Sequence, residues 1–112
     1  MMASDFTIDT ITVLQLKELL GKDIPPLVLD VREAEELKIC SLPTYTHISL
    51  GGLQKELDQL PRDRVIVTLC HHGRRSLQAA LLLKHHGFGQ VLNLVGGIQA
   101  WAEQVDPLMT QY

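Results

Sequence analysis

Cys70 ends the apolar run VIVTL (65–69) and opens the stretch CHHGRRS, in which two histidines, a glycine and two arginines precede a serine. A leucine- and alanine-rich segment follows. This is the one place in the chain where residue types and spacing could do chemistry. Three effects favour a thiolate there. Successive backbone N–H groups in a glycine-containing loop can form an anion-binding nest. A helix beginning just after the loop adds its positive N-terminal end. Arg74 and Arg75 add fixed charge, and His71 and His72 add more when protonated. Surroundings of this kind lower a cysteine pKa from about 8.5 toward neutrality or below, which makes the thiol a nucleophile. A zinc site built from Cys70, His71 and His72 is a poor alternative, because adjacent residues seldom all turn toward one ion and no second pair stands at ligand spacing. Cys40 has no basic neighbour except Lys38 and reads as structural.

The loop must be held by the elements around it. Residues 1–10 are mixed and polar, expected to be loosely held apart from a short strand near 8–11. Thr12 can cap a helix running to about Leu20, with Gly21 ending it. LVLDV (27–31) reads as a buried strand and REAEELK (32–38) as a brief helix. THISL (46–50) reads as a further strand, and Leu53, Leu57 and Leu60 mark a helix stopped by Pro61. VIVTL is the clearest strand. The clearest helix is 76–87, apolar nearly all round, with Ser76 as its hydroxyl cap and Gly87 as a left-handed stop. Lys84, His85 and His86 suit its C-terminus. VLNLV (91–95) is a last strand, and Gly96-Gly97 turn into IQAWAEQ (98–104), with Ile98 and Trp101 on one side. Arg62 and Arg64 read as solvated loop residues. Alternating short strands and helices indicate an α/β domain: five strands in a mainly parallel sheet, with helices on both faces. Ligands of such sheets bind outside the carboxyl ends of the strands, where Cys70 lies.

A chain of 112 residues suits one domain, 1–112, with a core of its own. The formal charge of −3 argues against nucleic acid as the main partner. The start lacks a signal pattern and no apolar run is long enough for a membrane, so a cytoplasmic protein is expected. Two cysteines are too few for a disulfide framework, which leaves Cys70 as a thiol.

Four blocks, in order, resemble the rhodanese-like sulfurtransferase domains: LVLDVREAEE (27–36), the LP…HISLGGL region (42–53), VIVTLCHHGRRS (65–76) and GFGQVLNLVGGIQAW (87–101). The resemblance spans about residues 11–106. It implies a three-layer α/β sandwich and a catalytic cysteine opening a six-residue loop after a central strand. It also implies a persulfide mechanism: Cys70 takes a sulfane sulfur from thiosulfate or a persulfide donor and passes it to a thiol, cyanide or other thiophilic acceptor. No cofactor is implied beyond that covalent persulfide. Backbone N–H groups from His71 to Ser76 would cradle the anion, as an oxyanion hole does. Gly73 would permit the curvature, and Arg74 or Arg75 would attract an anionic donor. Asp30 and Arg32 match the family's DVRE block, as support beside the loop.

Related phosphatases of the cell-cycle and arsenate-reducing type carry five residues between cysteine and a clamping arginine. Here that place is Ser76, so the bidentate clamp is missing. Where many rhodanese-like chains have Gly-His-Ile-Pro-Gly-Ala, this one has Cys40-Ser41-Leu42-Pro43-Thr44-Tyr45. Two other functions compete with a stand-alone enzyme. One is a carrier or adaptor relaying sulfur between proteins, as in rhodanese domains attached to adenylating enzymes. The other is a non-catalytic binding domain, although such domains usually lose the cysteine.

Overall fold

The computed structural model describes residues 7–112. Five strands form one fully parallel sheet in the order β1-β5-β4-β2-β3. They are β1 (Asp9–Ile11), β2 (Leu27–Asp30), β3 (Thr46–His47), β4 (Ile66–Leu69) and β5 (Val91–Leu94). Between them run α1 (Val13–Leu20), α2 (Ala34–Ile39), a 3-10 helix (Leu50–Gln59) and α3 (Arg74–His85), with α4 (Gly97–Gln104) after β5. β4 is the central strand, and the sheet is the expected α/β architecture. The expectation for residues 1–6 lies outside the described residues. Within the described residues no helix is long and apolar enough to cross a membrane.

Side chains alternate across a strand, and β4 shows what that does. Ile66 and Cys70 join a core cluster with Ala79, Ala80 and Leu83 of α3 and Leu53 and Leu57 of the 3-10 helix. Val67 and Leu69 point the other way, into a cluster with Val13 and Leu16 of α1 and Ile98 and Trp101 of α4. The sheet therefore has a helical layer on each face. Cys70 continues the Ile66–Thr68 side of the alternation and faces the α3 layer.

Local chemistry accounts for most element ends. Thr12 Oγ1 accepts from Gln15 N at 3.1 Å while Gln15 Oε1 accepts from Thr12 N at 2.9 Å, a capping box that starts α1 where expected. Gly87 follows the end of α3 at φ 90°. Several expectations need correction. The strand at 46–50 contracts to two residues, and the helix beyond it is 3-10 over Leu50–Gln59. Leu50 and Leu53, then Leu57 and Leu60, stand three apart, which suits three residues per turn. α3 begins at Arg74, two residues early, because Gly73 at φ 121° turns the chain into the helix. Ser76 is thus inside the first turn and is not the cap. α3 buries one face only: Ser76, Ala79, Ala80 and Leu83 are buried while Leu77 is exposed. Arg62 and Arg64 are loop residues, as expected, Arg62 exposed and Arg64 half-buried, and both side chains also bond distant carbonyls. Arg62 NH1 donates to His86 O at 2.7 Å with its guanidinium over the Phe88 ring, and Arg64 Nε donates to Pro25 O at 3.0 Å.

The one-sided burial of α3 is checked by two truncations in urea unfolding. Leu83→Ala is expected to cost about 2–5 kcal/mol by opening a cavity. Leu77→Ala should cost less than about 1 kcal/mol.

Candidate active site

Cys70 lies just past the carboxyl end of β4 and is buried, 1% exposed. Its Sγ accepts the Gly73 N–H at 3.0 Å, and the thiol donates to Ser76 Oγ at 3.3 Å. Ser76 is itself fully buried. The sulfur therefore sits against the first turn of α3, whose unpaired amides carry the positive end of the helix. Early entry into the helix is what brings Ser76 there. A start at Ser76 would have turned that hydroxyl to the helix's own backbone.

The loop is clamped from the opposite side by α4. Ile98 N donates to Cys70 O at 2.9 Å, and Gln99 N to His71 O at 3.1 Å. These are orphan amides at a helix start, spent on the loop. A trans peptide places N–H opposite C=O. With both carbonyls turned to α4, the amides of His71 and His72 turn toward the α3 side, where Sγ lies. Gly97 makes this approach possible. It sits at φ 59°, and a Cβ there would collide with the carbonyl oxygens of Cys70 and His71. Asn93 of β5 completes the frame. Its Nδ2 donates to Gly73 O at 3.1 Å, and its Oδ1 accepts from Thr68 Oγ1 at 3.3 Å.

The basic residues separate into different roles. Arg74 is exposed and makes no hydrogen bond among the described residues. Arg75 forms a bidentate pair with Glu36 of α2, NH1 to Oε1 at 2.6 Å and NH2 to Oε2 at 2.9 Å. Glu36 Oε2 also accepts from Tyr112 OH at 2.6 Å. The Arg75 guanidinium holds the Glu36 carboxyl well below its usual range, at about 2, against the opposing effect of burial. The His71 ring is stacked between His72 and Tyr112, with centroids 3.9 and 3.8 Å away. Burial, followed by the neighbouring His72, lowers its pKa. That shift works against the charge His71 would add when protonated.

Asp30 and Arg32 are both fully buried and bonded to each other at 2.7 Å. Arg32 NH2 also donates to Cys40 O at 2.9 Å, and NH1 to Glu36 O at 3.3 Å and Tyr112 OH at 3.1 Å. His47 Nε2 hydrogen-bonds the Arg32 carbonyl at 2.7 Å. Arg32 thus faces the end of α2 and the C-terminal tail. Cys40 packs into the α1–α4 side of the core, whereas Cys70 belongs to the α3 side, so the sheet separates the two thiols. Among the described residues no three His, Cys, Asp or Glu side chains converge as a metal site. Sequence reasoning missed Glu36, Asn93, Gly97 and Tyr112. Gly97 was visible as a turn residue; the others become partners of the loop only by chain folding.

The family model of the rhodanese-like domain matches residues 12–104, and the chain belongs to that family. YrkF of Bacillus subtilis, named as a sulfur carrier, is 35% identical over 100 residues, 89% of this chain and 54% of that protein. The maize adenylyltransferase and sulfurtransferase MOCS3-2 is also 35% identical, over 87% of this chain but 22% of its own length. The chain thus spans about half of the first relative and about a fifth of the second. A crystal structure of a rhodanese-related protein from Thermoplasma volcanium superposes with a TM-score of 0.79 at 32% identity, covering 87% of this chain and 93% of that one.

Two measurements check the frame. Glu36 has a folded-state pKa of about 2 against an ordinary 4.5, so its contribution to stability is present above the ordinary value and lost as pH falls through the folded one. Unfolding followed from pH 5 to about 2 should show this loss in the wild type and a flatter curve in Glu36→Gln. Gly97→Ala, which sets a methyl against two carbonyls at positive φ, should destabilise by more than about 1 kcal/mol in chemical denaturation.

Proposed function

We propose that the protein is a sulfurtransferase working through a Cys70 persulfide. The observation that carries this reading is the placement of Sγ: buried at the end of the central strand, between the Gly73 amide and the Ser76 hydroxyl at the start of α3. Cys70 thiolate attacks the outer sulfur of thiosulfate or of a persulfide. The donor's S–S bond breaks with its electron pair on sulfite or on a thiolate, and Cys70 keeps the transferred sulfur. A thiol or cyanide acceptor then attacks that sulfur and restores the thiolate. Loop amides turned to the α3 side hold the negative charge of the persulfide through both steps. The chemistry requires no cofactor beyond this covalent intermediate. Ser76 stands where a phosphatase of related fold carries its arginine clamp, so the ring suits sulfur and not a tetrahedral oxyanion.

A narrower form of the reading is a relay, in which donor and acceptor are proteins. It is favoured by the two curated relatives, one a named sulfur carrier and one joined to an adenylyltransferase. Intact-protein mass spectrometry separates the outcomes. Treatment with thiosulfate or an alkyl persulfide should add one sulfur atom to Cys70, and cyanide should remove it as thiocyanate. Cys70→Ser should do neither. Sulfur gained from a protein persulfide far faster than from thiosulfate supports the relay. No gain from any donor would sink the sulfurtransferase reading.

A further inference from the structure

CHHGRRS promises four basic side chains around the thiol, but folding leaves far less positive charge. The His71 ring is stacked between His72 and Tyr112, where burial disfavours its protonation, and Arg32 is spent on Asp30. Arg75 is the loop arginine whose charge is felt with Cys70, yet both of its terminal nitrogens are bound by Glu36. Glu36 is itself fixed at both oxygens. Oε1 also accepts Glu33 N at 3.0 Å, and Oε2 accepts the Tyr112 hydroxyl, which is anchored in turn by Arg32. The chain Asp30–Arg32–Tyr112–Glu36–Arg75 thus links the end of β2, the C-terminal tail, α2 and the loop. It delivers a carboxylate to the arginine that would otherwise face an anionic donor. Among the described residues, Arg74 is left as the unpaired guanidinium of this stretch.

We propose that Glu36, latched by Tyr112, is a specificity-determining residue: it withdraws Arg75 from donor binding and turns the site from thiosulfate toward persulfide donors. This rests on the sulfurtransferase reading above. The two donors differ in charge at the step that matters. With thiosulfate, the Cys70 thiolate meets a dianion, and the electron pair of the broken S–S bond departs on sulfite, another dianion. With a protonated alkyl persulfide, the thiolate attacks the terminal sulfur and the pair departs on a monoanionic thiolate. A mouth with one free guanidinium penalises the first reaction more than the second.

The test compares kcat/KM for thiosulfate and for an alkyl persulfide in the wild type and in Glu36→Gln, with the fold monitored by thermal unfolding. The thiosulfate-to-persulfide ratio should rise about fivefold to tenfold in Glu36→Gln, as expected for freeing one charge near a protein surface. The gain should shrink as salt is raised and disappear in the double variant Glu36→Gln/Arg75→Ala. Tyr112→Phe keeps the ring on His71 and loses only the hydroxyl bonds, so it should move the ratio the same way by less. It carries the test should Glu36→Gln fail to fold. A ratio that does not move, or a gain that survives without Arg75, overturns the proposal. Thiosulfate protection of Cys70 against iodoacetamide reads the same charge effect without turnover and should be stronger in Glu36→Gln. If neither donor loads the wild type, the sulfurtransferase reading falls, while unchanged protection overturns the Glu36 assignment separately.

Discussion

A buried charge cannot be left half paired, and much of this molecule is arranged around one: the Arg32 guanidinium, which has no exposed surface. Its carboxylate partner, Asp30, is two residues away on the same strand end. Its remaining N–H groups are met by the carbonyls of Glu36 and Cys40 and by the Tyr112 hydroxyl. Removing the Asp30 carboxylate would leave a desolvated charge without its counter-ion, a cost of several kcal/mol for a buried ion. The consequence is positional. Satisfying Arg32 fixes where α2 ends, how the 40–45 segment leaves it, and where the C-terminal tail comes to rest.

The sulfur site is held by the same logic applied to backbone. The loop has no regular structure of its own, so its polar groups need partners from elsewhere. Two helix starts supply them. α3 offers an amide and a hydroxyl to Sγ, while α4 takes the carbonyls of Cys70 and His71. Each helix ends with fewer orphan amides, and the Gly73 N–H reaches the sulfur. Gly73 and Gly97 permit this because each adopts a positive φ, and at Gly97 a side chain would also meet the loop carbonyls.

Much of this was legible in the residues. Apolar runs bounded by turn signals marked five strands, and their alternation with helices called for a parallel sheet. VIVTL followed by CHHGRRS placed a cysteine at the carboxyl end of the central strand. The element ends were harder, for identifiable reasons. Ser76 is as good a cap as any residue in the stretch, and only the glycine conformation at 73 shows the helix starting before it. THISL has the composition of a strand, but after His47 the chain turns into the 3-10 helix.

What the sequence determined by itself is the candidate cysteine and the size of the ring that follows it. Cysteine, strand, glycine loop and helix follow one another within a dozen residues, so local covalent geometry sets their relation. What only the tertiary structure decided is the charge of that ring. Glu36 and Tyr112 lie 39 and 76 residues from their partners Arg75 and Glu36, and no pattern in the chain joins them. Charges add through space, whatever their order along the chain. Four basic residues counted in CHHGRRS therefore become, once the chain closes, one arginine without a side-chain partner among the described residues, one arginine paired with Glu36, one ring stacked between two others and one exposed histidine.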